Sequence, residues 1–155
     1  MTKRTRSVII DNTSGKIFKD VADSSLATPS NIIAGPRVRQ AAFTAPGTAL
    51  VKIVNNIGIT GLGLQFPTNI VVTGVTLTVT VDPIGSAIQV RLKQGTTYNT
   101  ASVMGTYQIS AGTSTSINPV NVSVASGNKI YADILQVGSV RPGAGLSVIV
   151  TYYSG

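Results

Sequence analysis

The chain of 155 residues contains no cysteine, no histidine, no tryptophan and no glutamate. Without cysteine there is no disulfide framework, no thiolate nucleophile and no Cys-ligated zinc. Without histidine the commonest general base and the commonest zinc ligand are both missing, and no serine can be activated through an imidazole. The acids are Asp11, Asp20, Asp23, Asp82 and Asp133. Only Asp82 and Asp133 fall in the C-terminal two thirds, where glycosidase or calcium chemistry would need them close together with further oxygen ligands. Asp82 precedes a proline in turn sequence, where aspartate bonds local backbone amides, and Asp133 falls on the outward phase of a strand. The inventory predicts no enzyme, no cofactor and no metal site.

Charge is scarce as well: 11% of residues are charged, against about a quarter in ordinary domains. Serine, threonine, asparagine and glutamine supply the polar surface instead, which suits packing against neighbouring chains because a buried charge would need a partner. No apolar run approaches the roughly 18 residues of a membrane span. Ser7–Ile10 is cut off by Asp11-Asn12 and is too short for a signal-peptide core. The expectation is therefore no membrane, and synthesis in a cytosol without export by this route. Aromatics are 5% of the chain. Phe18, Phe43 and Phe66 are dispersed, and Tyr98 and Tyr107 lie in or near turn-rich sequence. That leaves no row of stacking platforms and argues against nucleic acid as the partner.

The charge that exists is unevenly placed. Residues 1–55 hold eight basic residues against three aspartates, a net of +5, and residues 56–155 hold four against two, a net of +2. The basic leader is suited to an acidic protein surface or to nucleic acid. Within it, residues 23–36 (DSSLATPSNIIAGP) are rich in Ser, Asn and Pro and read as an extended connector, long for a compact domain. An arm laid across another subunit or structure fits better.

Beyond the leader, the pattern is that of strands. In Val71–Lys93, Val75, Leu77, Val79 and Val81 alternate with threonines, and Ile88, Val90 and Leu92 alternate with Gln89, Arg91 and Lys93, the two-residue period of half-buried strands. Asp82-Pro83-Ile84-Gly85-Ser86 between them is turn chemistry, so the segment predicts an antiparallel hairpin. Strands are also expected at 37–43, 50–54, 104–109, 120–124, 130–135 and 146–153. Spacings of about 8–12 residues predict a sandwich or barrel. The last strand has Ile149 and Tyr153 opposite its main apolar row, which predicts burial on both faces, the second covered by extra segments or by another chain. Gly61-x-Gly63 lacks the third glycine and the Lys-Ser/Thr pair of a phosphate loop and reads as a bend.

The stretch from Val72 to Tyr152 resembles a β-sandwich module of tailed-bacteriophage structural proteins. The resemblance is carried by VTGVTLTVTVDPIGSAIQVRLKQGT, the turn ISAGTSTS, the pair VSVASGNKIYADILQVGS and the ending RPGAGLSVIVTYY. It departs at Asn128-Lys129, where an acidic residue is more usual. The resemblance implies an all-β, jelly-roll-like antiparallel β-sandwich that forms a homotrimer on the outer surface of a virion. Relatives are capsid decoration (cement) proteins, head fibres or tail-fibre tips.

The expected organisation is an extended basic N-terminal arm over residues 1–40 and a β-sandwich domain over 41–155. The expected function is capsid decoration, the arm docking on the major capsid protein or another virion protein through Lys3, Arg4, Arg6, Lys16, Lys19, Arg37 and Arg39. The alternative is a tail-fibre or fibre-tip module that recognises a host glycan or surface protein through loops around Tyr98, Asn99 and Tyr107.

Overall fold

The computed structural model of the protein describes residues 37–51 and 63–154, together with the backbone of residues 11–12 and 14–15. The chain divides into two compact units, residues 1–36 and residues 37–155. In the first, β1 (Asp11–Asn12) and β2 (Ser14–Gly15) pair with each other.

The second unit is an all-β sandwich of eight strands: β3 (Val38–Thr48), β4 (Leu64–Gln65), β5 (Ile70–Thr78), β6 (Ile88–Gly95), β7 (Ser102–Ile109), β8 (Thr115–Val124), β9 (Lys129–Gln136) and β10 (Ala144–Ser154). They form two antiparallel four-stranded sheets ordered β3-β10-β5-β8 and β4-β9-β6-β7. Every connection crosses from one sheet to the other except β6–β7, which is the jelly-roll winding. Among the described residues there is no helix, and so none long and apolar enough to cross a membrane.

The period-two rows point inward from both sheets. Phe43, Val72, Val75, Leu77, Leu146, Val148 and Val150 of one sheet meet Ile88, Val90, Leu92, Ile109, Ile130, Ala132 and Ile134 of the other, all buried. At about 25 cal/mol per Å² of apolar surface removed from water, these rows are the main stabilising term.

The expected Val71–Lys93 hairpin is overturned: β5 and β6 belong to opposite sheets and do not pair. Alternation says which side chains face the core and is silent on the partner strand, so two limbs with inward apolar rows fit either arrangement. The nine residues between them bridge the sheets instead of turning within one. They are fastened to the 137–144 segment by Thr80 N–H to Ala144 O (2.9 Å), Ile84 N–H to Arg141 O (2.9 Å) and Val140 N–H to Ile84 O (2.9 Å). Two glycines permit this close approach. Gly85 has φ +92°, and a Cβ on Gly138 would strike the carbonyl oxygen of Arg141 while lying 2.9 Å from both N and O of Ile84.

Three other expectations change. β3 is longer than the predicted 37–43 strand, running to Thr48. Leu50 and Val51 lie in no strand and are 68% and 54% exposed, while Lys52–Val54 and most of the glycine-rich bend fall outside the described residues. The strand buried on both faces is β9, where Ile130 to Ile134 are all buried. In β10 only Leu146, Val148 and Val150 are buried, and Ile149 and Tyr153 are partly buried.

Candidate functional site

The outward face of the β3-β10-β5-β8 sheet is the most unusual surface among the described residues. The register lines up four rows across it: Thr44, Ser147, Thr78 and Thr115; Ala42, Ile149, Thr76 and Ile117; Gln40, Thr151, Gly74 and Pro119; and Val38, Tyr153, Val71 and Ser123. None of these residues is charged in a chain of net charge +7. Ile117 and Val38, at its two margins, are 73% and 70% exposed. The polar groups on it are hydroxyls and amides, and Gln40 Nε2 donates to Thr151 Oγ1 at 3.2 Å. Covering such a face removes apolar surface from water without desolvating an ion.

Arg39 aside, the charged residues of the sandwich strands lie on the opposite sheet. Arg91 and Asp133 are cross-strand partners on β6 and β9, and Lys93 is opposite Tyr131. Arg91 donates to Asp133 Oδ2 from Nε (3.1 Å) and Nη2 (2.7 Å), and the Tyr98 hydroxyl donates to Oδ1 (2.8 Å), with Oδ2 3.0 Å away. Asp133 is wholly buried and the Arg91 side chain is 27% exposed. The Lys93 ammonium lies 4.0 Å from the centroid of the Tyr98 ring, and Tyr98 packs edge-on to Tyr131 at 5.6 Å. Lys93 Nζ also donates to the Tyr98 carbonyl at 3.2 Å. The β6–β7 loop is thereby pinned down over β9, which is why an outward-phase aspartate and tyrosine are buried.

This network raises the Arg91 pKa above its ordinary value, chiefly through the hydrogen bonds to Asp133, against the opposing effect of burial. Burial first, then the hydrogen bond to Asp133, raises the Tyr98 phenol, and burial alone raises Tyr107 and Tyr131. Asp133 is fully engaged by a cation and a hydroxyl, which describes a structural carboxylate. Asp82 sits in the β5–β6 connection, where its carbonyl accepts from Arg141 Nε at 3.1 Å. Among the described residues no group of three or more acidic, histidine or cysteine side chains is placed to hold a metal ion.

Of the predicted docking residues, Lys3, Arg4, Arg6, Lys16 and Lys19 lie outside the described residues. Arg37 and Arg39 are exposed, Arg37 just before β3 and Arg39 on it, opposite Tyr152. Of the loop residues suggested for receptor recognition, Asn99 is exposed and the two tyrosines have partners within the sandwich. Tyr98 is tied to Asp133, and Tyr107, opposite Val90, packs against the core. Neither the uncharged rows nor the Arg91–Asp133–Tyr98 cluster is visible without the register, because the partners stand far apart in sequence. The nearest signal is Ile149 and Tyr153 on the polar phase of the last strand.

No family model matches this chain, and none of the curated proteins does. Among solved structures the globular domain of zebrafish complement 1qA protein is similar, with 11% identity, a TM-score of 0.44, and an alignment covering 78% of this chain and 100% of that one. The sandwich assignment rests on this chain's own strand order and register.

Proposed function

We propose that the protein is a non-enzymatic structural module of a virion, a capsid decoration protein that self-assembles through the uncharged face of its β3-β10-β5-β8 sheet. The observation that carries this reading is the absence of any charge from four cross-strand rows whose central strand leaves Ile149 and Tyr153 only partly buried. Strands apolar on both sides ask for cover on both sides, and among proteins carrying a net +7 this is the surface on which two copies meet with least repulsion. The trimeric number and the virion context come from the sequence resemblance over Val72–Tyr152. The capsid role adds the basic leader, whose charge suits an acidic shell, and three leaders on one trimer multiply weak contacts through effective concentration.

Light scattering on the full chain should give three times the 16.0 kDa protomer mass. Ile117→Lys, at a position the isolated protomer exposes to solvent, should yield folded monomer. On particles, deletion of residues 1–36 should abolish occupancy while the trimer persists in solution. A wild-type protein that stays monomeric at high micromolar concentration ends the assembly reading. Unchanged occupancy after the deletion ends the docking reading.

A further inference from the structure

The little charge that the sandwich carries is gathered at one of its ends. Among the described residues, Arg37, Arg39, Arg91, Lys93, Lys129 and Arg141 stand against Asp82 and Asp133, a net side-chain charge of +4. Arg91 is neutralised by Asp133 between β6 and β9. Arg141 and Asp82 offset each other at the far end, where the β5–β6 connection meets the segment before β10. The four cations that remain, Arg37, Arg39, Lys93 and Lys129, all lie at the end where β3 and β9 begin and β6 stops. Residues 1–36, with their own excess of basic side chains, join the sandwich at that same end through Arg37.

The register brings these cations together from both sheets. Lys93 is opposite Tyr131 and Lys129 is opposite Gly95, so the two lysines are diagonal neighbours on the outward face of their sheet. Lys129 is also opposite Gln65, and the next residue, Phe66, packs edge-on at 5.0 Å against Tyr152, the strand partner of Arg39. Arg39 has the core-facing phase of β3 and is nevertheless exposed, because it stands at the mouth between the sheets. Diagonal like charges repel one another, a cost that an acidic partner turns into attraction. None of the four belongs to the uncharged rows of the assembly face. The aromatic rings at this end are engaged with each other, Phe66 with Tyr152 and Tyr98 with Tyr131. That favours the carboxylates of a protein over a nucleic acid, whose bases seek rings to stack on.

We infer that this pole of the sandwich is itself a docking surface for a carboxylate-rich protein surface, contacted through Arg37, Arg39, Lys93 and Lys129. The inference rests on the docking part of the proposed function and extends it from the leader to the folded domain, which would stand end-on against its partner.

The test is fluorescence anisotropy of labelled poly-L-glutamate titrated with the full chain, with a labelled DNA duplex as contrast. Arg39→Gln with Lys129→Gln should weaken poly-glutamate binding about fivefold at low salt, the order of two exposed ion pairs. The difference should fade as salt approaches about 1 M. Arg141→Gln, which removes a positive charge at the far end, should bind as the wild type does. Lys3→Gln with Arg4→Gln and Arg6→Gln reports on the leader separately. A circular dichroism melt checks that the pole variant keeps the fold, and Arg37→Gln with Arg39→Gln gives the same reading without touching Lys129. Loss of affinity in the leader variant alone overturns this inference and leaves leader docking standing, whereas loss in the pole variant alone upholds it and removes the leader. An equal loss from Arg141→Gln would mean that net charge alone acts, and overturns the inference. So does a pole variant that loses more affinity for the duplex than for poly-glutamate.

Discussion

Arg91→Met is expected to destabilise the sandwich by about 3 kcal/mol, the lower end of the cost of breaking a buried ion pair, and to lower the thermal midpoint by about 6–12 °C for a domain of this size. The reason is the asymmetry of the pair. Asp133 has no exposure, whereas 27% of the Arg91 side chain reaches solvent. Removing the guanidinium strands a carboxylate under the β6–β7 loop with the Tyr98 hydroxyl as its remaining ligand among the contacts described. Removing the carboxylate is milder. Asp133→Asn keeps an acceptor for Tyr98 and leaves a guanidinium that can turn to water, so a loss of about 1–2 kcal/mol is expected. Replacing both partners, Arg91→Met with Asp133→Leu, should recover much of the loss, because an apolar pair under the loop leaves no uncompensated charge. Urea unfolding of the three variants decides the matter. Equal losses for Arg91→Met and Asp133→Asn, or a double variant as weak as the worse single one, would show that the pair does not hold the loop.

How much of this was legible beforehand depends on which physical constraint is local. The period-two rows of Val75–Leu77, Ile88–Leu92 and Leu146–Val150 are local, and they place the core side chains where they are found. Partner choice is not local. The same alternation allowed β5 and β6 to be read as a hairpin, although the bridging connection puts them in opposite sheets. The assembly face and the pinned loop both depend on cross-strand register between distant segments, Ile149 with Thr76 and Ala42, Arg91 with Asp133. The partner of a side chain is therefore not legible from the sequence even where its chemistry is. Tyr98 lies in turn-rich sequence, and its ring is held between Lys93 and Tyr131 with its hydroxyl directed onto a buried carboxylate. Within the protomer it is β9 that is buried on both faces, because the β6–β7 loop covers it, whereas the outward side of β10 has no such cover among the described residues and the cover expected for it is left to another chain.

The other large effect expected is loss of the fold at high pH. Tyr98, Tyr107 and Tyr131 all have phenol pKa values raised by burial, Tyr98 further by its hydrogen bond to Asp133. A group whose folded pKa exceeds its unfolded value stabilises fully below the unfolded pKa, about 10 for tyrosine. That contribution is lost as pH climbs through the folded value. Ionising Tyr98 would set a phenolate against the Asp133 carboxylate, and ionising Tyr131, 2% exposed, would bury a charge beside it. Stability in urea should therefore stay level from pH 7 to about 9 and fall steeply above about 10. Tyrosinate absorbance from these three residues should rise with unfolding and not before it. A variant carrying Tyr98→Phe, Tyr107→Phe and Tyr131→Phe should flatten that alkaline limb, even though losing the Tyr98 hydroxyl lowers its stability at neutral pH. An alkaline limb of the same slope in the triple variant would place the pH dependence on other groups, and would leave the buried phenols as packing residues only.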